Sequence, residues 1–158
     1  MRLDPLRVYA DTSVFGGAFD EQFAEPSRRF LDQVQAGRLH LVTSAVVRDE
    51  LEDAPPGVRA LFAAVVDVSE VAGITVAAAE LQQAYLQHGV VPARWGADAL
   101  HVAIATVAGC PVLVSWNFRH IVNFRRIRLY NAVNALSGYA DIAIHSPLEV
   151  LEDEEEAL

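Results

Sequence analysis

The chain contains no lysine: all 12 of its basic residues are arginine, set against 21 Asp and Glu, for a formal net charge of −9. That balance excludes a protein that coats nucleic acid indiscriminately, because a strongly acidic surface is repelled by the phosphate backbone. There is one cysteine, Cys110, so no disulfide framework can form within the chain, and the thiol reads as a small buried hydrophobe of a reducing compartment. A membrane-spanning stretch is also lacking. Ala99 to Phe118 is free of formal charge, but Gly109 and Pro111 break it and His101, Ser115 and Asn117 punctuate it, which marks it as core. The opening Met1-Arg-Leu-Asp-Pro-Leu-Arg sets charges and a proline where a secretory signal needs an unbroken apolar core. The expectation is a cytoplasmic protein with no membrane association.

What is present suits one domain. With 158 residues, 53% of them hydrophobic, the chain can bury roughly 70% of its unfolded surface without a disulfide or structural metal. No repeat is visible, and the Ala54-Pro-Pro-Gly57 break is too short for an interdomain linker. Residues 1–151 read as the domain, and 152–158, with the acidic run Glu152–Glu156, as a solvated tail. Short apolar runs at Leu6–Ala10, Leu39–Thr43, Val66–Val71, Val112–Ser115 and Asp141–Ile144 read as strands. Between them, helix spacing predicts helices over 26–36, 45–52, 58–65, 75–88, 96–108 and 124–136, with a further start at Ser146-Pro147. Ser44 and Thr75 stand at N-cap positions, and Gly37 and Gly109 follow helix ends. This alternation predicts an α/β fold with a mostly parallel central sheet of four or five strands flanked by helices. In such sheets ligands bind beyond the carboxyl ends of the strands, so polar residues directly after the strand runs are the place to look.

Three acids stand out. Asp11 directly follows the first strand, with Thr12 and Ser13 beside it; an Asx turn or helix cap is the structural alternative. Glu50, by helix phase, falls among Val46, Val47 and Leu51 on the apolar face, where a carboxylate must be paired, protonated or bound to a cation. A buried ion pair with arginine is its alternative. Asp98 is the only formally charged residue in an otherwise apolar helix. The helix dipole favours an acid in the first turn by roughly 0.3–1 kcal/mol, less than the several kcal/mol an unpaired ion loses on burial. His101 shares its flank. Oxygen-only ligation by three carboxylates suits Mg²⁺ or Mn²⁺, which bridge to phosphate oxygens. A bound divalent ion lowers the pKa of a water and stabilises a leaving oxygen.

Charge is also unevenly distributed. Ala99 to Ala140 contains no acid, while Arg119, Arg125, Arg126 and Arg128 cluster just after the strand that ends at Ser115. Trp116 and Phe118 lie beside them as aromatic surfaces suited either to a core or to stacking on bases.

Taken in order, Tyr9-Ala-Asp-Thr-Ser-Val-Phe15, Ser44-Ala-Val-Val-Arg-Asp-Glu-Leu51, Ala97-Asp-Ala-Leu-His-Val-Ala-Ile-Ala105 and Leu113-Val-Ser-Trp-Asn-Phe-Arg-His120 resemble the PIN-domain nucleases, and among them the VapC-like toxins of bacterial toxin-antitoxin pairs. The match runs from Val8 through Asn123. It implies a single PIN-like domain and a metal-dependent endoribonuclease with Asp11, Glu50 and Asp98 as catalytic metal ligands. Thr12, Ser13, Ser115 and Asn117 would form a secondary set around them. It also implies arginines at 119, 125, 126 and 128 on RNA phosphates, a small antitoxin that covers the site, and a homodimer. Asn117 departs from the pattern, since many members carry a fourth acid at its place; Asp20, from the Gly16-Gly17 loop, is a candidate to lend a carboxylate, with a surface-loop acid as its alternative. Two further readings stay open. A degenerate PIN domain would bind RNA or a protein without cutting, and an aspartyl-phosphate-type phosphatase would use Asp11 as nucleophile, although Ser13 stands where that chemistry usually wants a second acid.

Overall fold

The structure, a computed structural model, describes residues 4–151. The first three residues and the acidic run Glu152–Glu156 lie outside the described residues. The strands are β1 (Leu6–Ala10), β2 (Leu39–Ser44), β3 (Glu70–Ala72), β4 (Val112–Val114) and β5 (Ala143–His145). The helices are α1 (Thr12–Gly17), α2 (Ala24–Gln35), α3 (Ala45–Glu50), α4 (Pro56–Val66), α5 (Val76–Gln87), α6 (Gly96–Val107) and α7 (Phe124–Leu136), with single 3-10 turns at Ala93–Trp95 and Pro147–Glu149.

The five strands form one sheet in the order β3-β2-β1-β4-β5, and every pairing is parallel. Val8 lies between Leu41 and Val112, and Tyr9 between Val42 and Leu113. Helices on both faces explain why Val8-Tyr9-Ala10 of β1 and the whole of β4 read as unbroken apolar runs rather than alternating ones. From β1 the chain winds outward through β2 and β3, then crosses to β4 on the other side and on to β5. The order therefore reverses between β1 and β4, and in such sheets ligands bind at this point, outside the carboxyl ends of the strands. Asp11, Ser44 and Ser115 directly end or follow β1, β2 and β4 at this edge.

Several boundaries differ from the sequence expectation. The strand expected over 66–71 lies at Glu70–Ala72, because α4 continues through Val66 and the Ser69 hydroxyl bonds back to the Val65 carbonyl, holding the turn beyond the helix. The helix expected to reach Glu52 ends at Glu50. The last strand falls at Ala143–His145, and the segment after Ser146 is only one 3-10 turn. Helix α1 was not foreseen, since its two glycines break the apolar periodicity. Gly17 is required there by close approach: a Cβ would lie 2.8 Å from both Ser27 Oγ and the Trp116 indole.

The caps behave as their sequence positions predict. Ser44 accepts the Val47 N–H and Thr75 the Ala78 N–H, while Gly37 and Gly109 adopt φ of 77° and 74° after their helices. Cys110 is buried and free, its thiol pushed up to about 11 by burial. Among the described residues no helix is long and apolar enough to cross a membrane.

Candidate active site

Asp11 sits at the carboxyl end of β1 and is 4% exposed. It occupies the N-cap position of α1 without capping it through its side chain. Its carboxylate instead accepts two hydroxyls, Ser13 Oγ on Oδ1 at 2.6 Å and Ser115 Oγ on Oδ2 at 2.8 Å. Each serine is held in turn by a backbone N–H, from Trp116 and Asn117 respectively. Burial pushes the Asp11 carboxyl above the ordinary range; His101 and the two hydroxyls pull it back without cancelling the shift, and the Asp98 charge adds to it.

Across β1 runs a hydrogen-bonded chain. Tyr9, fully buried in the middle of the strand, places its hydroxyl 2.8 Å from Ser44 Oγ and 2.8 Å from His101 Nδ1. His101 Nε2 meets Glu50 Oε1 at 2.5 Å, and Thr12 Oγ1 donates to the same oxygen at 2.9 Å. The Tyr9 hydroxyl serves either state of the imidazole. It donates to Nδ1 when the ring is neutral; when the ring is charged it accepts from Nδ1 and donates to Ser44. Burial lowers the His101 pKa, but the bond to Glu50 and the charges of Asp11, Glu50 and Asp98 outweigh it and leave the value raised. For Glu50, burial is likewise overcome, by the bond to His101, its charge and the Thr12 hydroxyl, so its pKa is lowered.

Glu50 requires a correction. Helix phase turns it toward the apolar side, but its side chain is 39% exposed. It is the last residue of a six-residue helix, so it projects over the sheet edge and not into the core. Nor does an arginine neutralise it, because Arg48 pairs with Asp49.

Asp98, 23% exposed in the first turn of α6, receives His120 Nδ1 on Oδ2 at 3.0 Å. His120 stacks on Trp95, with 4.7 Å between ring centroids. Asn117 is engaged as a turn former: its Oδ1 accepts the N–H of both Arg119 and His120. Asp20 accepts the Gln22 N–H in its own turn.

Among the described residues the three acids thus meet hydroxyls and imidazoles and no guanidinium. As carboxylate oxygens they fit a hard divalent cation in kind. In placement they are not a ready-made cage: among the described residues no three His, Cys, Asp or Glu are grouped so as to hold a metal ion. Glu50 Oε1 is engaged by His101 and Thr12, and Asp98 Oδ2 by His120.

The four arginines separate. Arg126 is spent on backbone, with Nε on the Arg119 carbonyl at 2.9 Å and Nη1 on that of Val90. Arg128 lies over Phe124, Arg119 lies over Trp95, and Arg125 is exposed on α7. Trp116 is core: it is 8% exposed, stacked on Phe23 and bonded to Ser27, so it offers no face to a base, whereas Phe118 is half exposed. Sequence reasoning missed Tyr9, His120, Trp95 and Arg94. Their importance lies in contacts between distant segments, which periodicity and local spacing do not show.

No family model and no curated protein sequence matches the chain. Solved structures do. A chain of VapBC2 from Rickettsia felis, crystallised with a promoter DNA fragment, covers 89% of this chain and 98% of its own length at a TM-score of 0.56 and 12% identity. A chain of FitAcB from Neisseria gonorrhoeae covers 90% and 99%, at 0.56 and 14%. VapC20 from Mycobacterium tuberculosis, a Sarcin-Ricin loop cleaving toxin, covers 86% and 98%, at 0.50 and 15%. At these identities the likeness shows the fold: the chain is a single α/β domain with the fold of these proteins.

Proposed function

We propose that the protein is a Mg²⁺- or Mn²⁺-dependent endoribonuclease and the toxin of a toxin-antitoxin pair. The observation that carries this reading is that Asp11 ends β1 beside Thr12, whose hydroxyl bonds Glu50, that the charge of Asp98 acts on Asp11 and His101, and that among the described residues none of the three acids is paired with an arginine. The likeness to VapC20, a toxin that cleaves RNA, supports the nuclease class, and the VapBC2 and FitAcB complexes support a small antitoxin over the site. The domain of residues 1–151 carries this activity in the cytoplasm, as a homodimer, with 152–158 as a tail.

When bound, the metal lowers the pKa of a water and stabilises the leaving oxygen. The chain's own residues do the rest. Asp11, fixed by Ser13 and Ser115, would be the rigid ligand of such an ion, and Glu50 and Asp98, both partly exposed, would supply the other carboxylates. Tyr9 holds the His101 ring against Glu50, and arginines at the rim hold backbone phosphates.

The test is incubation of the purified protein with a total RNA pool and Mn²⁺, beside Asp98→Asn and an EDTA control, with cut sites mapped. Wild type should cut only with metal, and Asp98→Asn should match the EDTA control; equal cutting by the variant ends the nuclease reading. Asn117 in place of a fourth acid, with its amide oxygen engaged, favours one second reading, a domain that binds without cutting. Retention of RNA with no metal-dependent cleavage would select it.

A further inference from the structure

Trp95 closes the 3-10 turn that leads into α6, three residues before Asp98. His120 lies on its ring at an interplanar angle of 29° and reaches from there to Asp98. Two guanidiniums share the same indole: Arg94 Cζ is 5.7 Å and Arg119 Cζ 5.6 Å from its centroid. Both arginines are exposed. Among the described residues neither meets a carboxylate, whereas Arg7, Arg29 and Arg48 each do. In a chain of net charge −9, what sets these two apart is that both lie against one ring next to the start of α6. The indole attracts each cation only weakly, so neither is neutralised by that contact. Their planar forks match phosphate oxygens.

Arg119 is also aimed by a stiff loop. Asn117 holds the N–H groups of Arg119 and His120, Arg126 holds the Arg119 carbonyl, and the Tyr130 hydroxyl holds the His120 carbonyl at 2.9 Å. The backbone that carries Arg119 is thereby fixed relative to Asp98, and little ordering remains to be done on binding.

We propose that Arg94 and Arg119, seated on Trp95 beside Asp98, form a phosphate subsite that grips the RNA backbone next to the bond to be cut. Arg126 and Asn117 are its positioning residues. This rests on the nuclease reading above for the identity of the strand, and it assigns the grip to Arg119, one of the four arginines the sequence offered, together with Arg94, which the sequence did not single out.

The test uses fluorescence anisotropy of a fluorescein-labelled single-stranded RNA 20-mer in EDTA over a range of salt, so that neither metal nor cleavage contributes. Arg94→Ala and Arg119→Ala should each weaken binding about 10-fold. Each should also lower the slope of log affinity against log salt by about 0.7. Arg94→Lys should keep the slope while losing part of the affinity, because it retains the charge and loses the fork. Arg38→Ala, at the opposite edge of the sheet, should bind like wild type. Wild-type binding by the first two variants overturns the subsite, as does an equal loss in Arg38→Ala or a wild type that binds no RNA at low salt. Cleavage assays of Asp98→Asn separate the two proposals: loss of binding in Arg94→Ala without any wild-type cleavage sinks the nuclease and leaves the subsite, and the reverse pattern sinks the subsite alone.

Discussion

Replacing Tyr9 with phenylalanine isolates the hydroxyl that joins Ser44 to His101. The ring is fully buried, so the change opens almost no cavity and removes only two hydrogen bonds, each 2.8 Å long. Each contributes about 0.5–1.5 kcal/mol, and the Nδ1 of His101, itself 2% exposed, is left without its partner. Together these losses should destabilise the fold by about 2–3 kcal/mol. With an m-value of roughly 2 kcal/mol/M, the urea midpoint should fall by about 1–1.5 M, read from the fluorescence of Trp95 and Trp116. Ser44→Ala should cost about 1 kcal/mol on its own account, since Ser44 also caps α3, and the double variant should lose less than the two singles combined. A Tyr9→Phe midpoint within about 0.3 M of wild type would show that the hydroxyl carries no energetic weight, and the claim that it holds His101 would fall.

His101 should govern part of the pH dependence of stability. Its pKa is raised on folding, so its contribution is complete below about 6.5, where the unfolded imidazole is protonated too, and fades as pH rises through the folded value. The stability gap between wild type and His101→Gln, measured by urea unfolding at pH 6 and pH 9, should therefore be larger at pH 6; an equal gap refutes the ion pair. Gly17→Ala should cost about 1–3 kcal/mol and lower the melting temperature, because the new methyl meets Ser27 and Trp116. Gly16→Ala, with nothing within 4 Å, should melt at or above wild type, and a matching loss in both would mean that helix α1 and not packing sets the cost.

The sequence by itself determined the alternation of strand and helix, the caps at Ser44 and Thr75, and the position of Asp11 at a strand end. These are local properties: periodicity tells which side of an element is apolar, and a hydroxyl before a helix bonds a neighbouring N–H. Depth is not local. Whether Glu50 lies in the core or over the rim depends on where α3 stops relative to the sheet, and the helix stopped at Glu50 itself. Nor could the chain alone show that Asn117 spends its amide on two N–H groups, that Arg126 holds a loop, or that Arg94 and Arg119 share one indole. Those facts belong to tertiary structure, because they follow from the strand order that sets β4 beside β1 and from the packing that brings the loop after β4 against the start of α6.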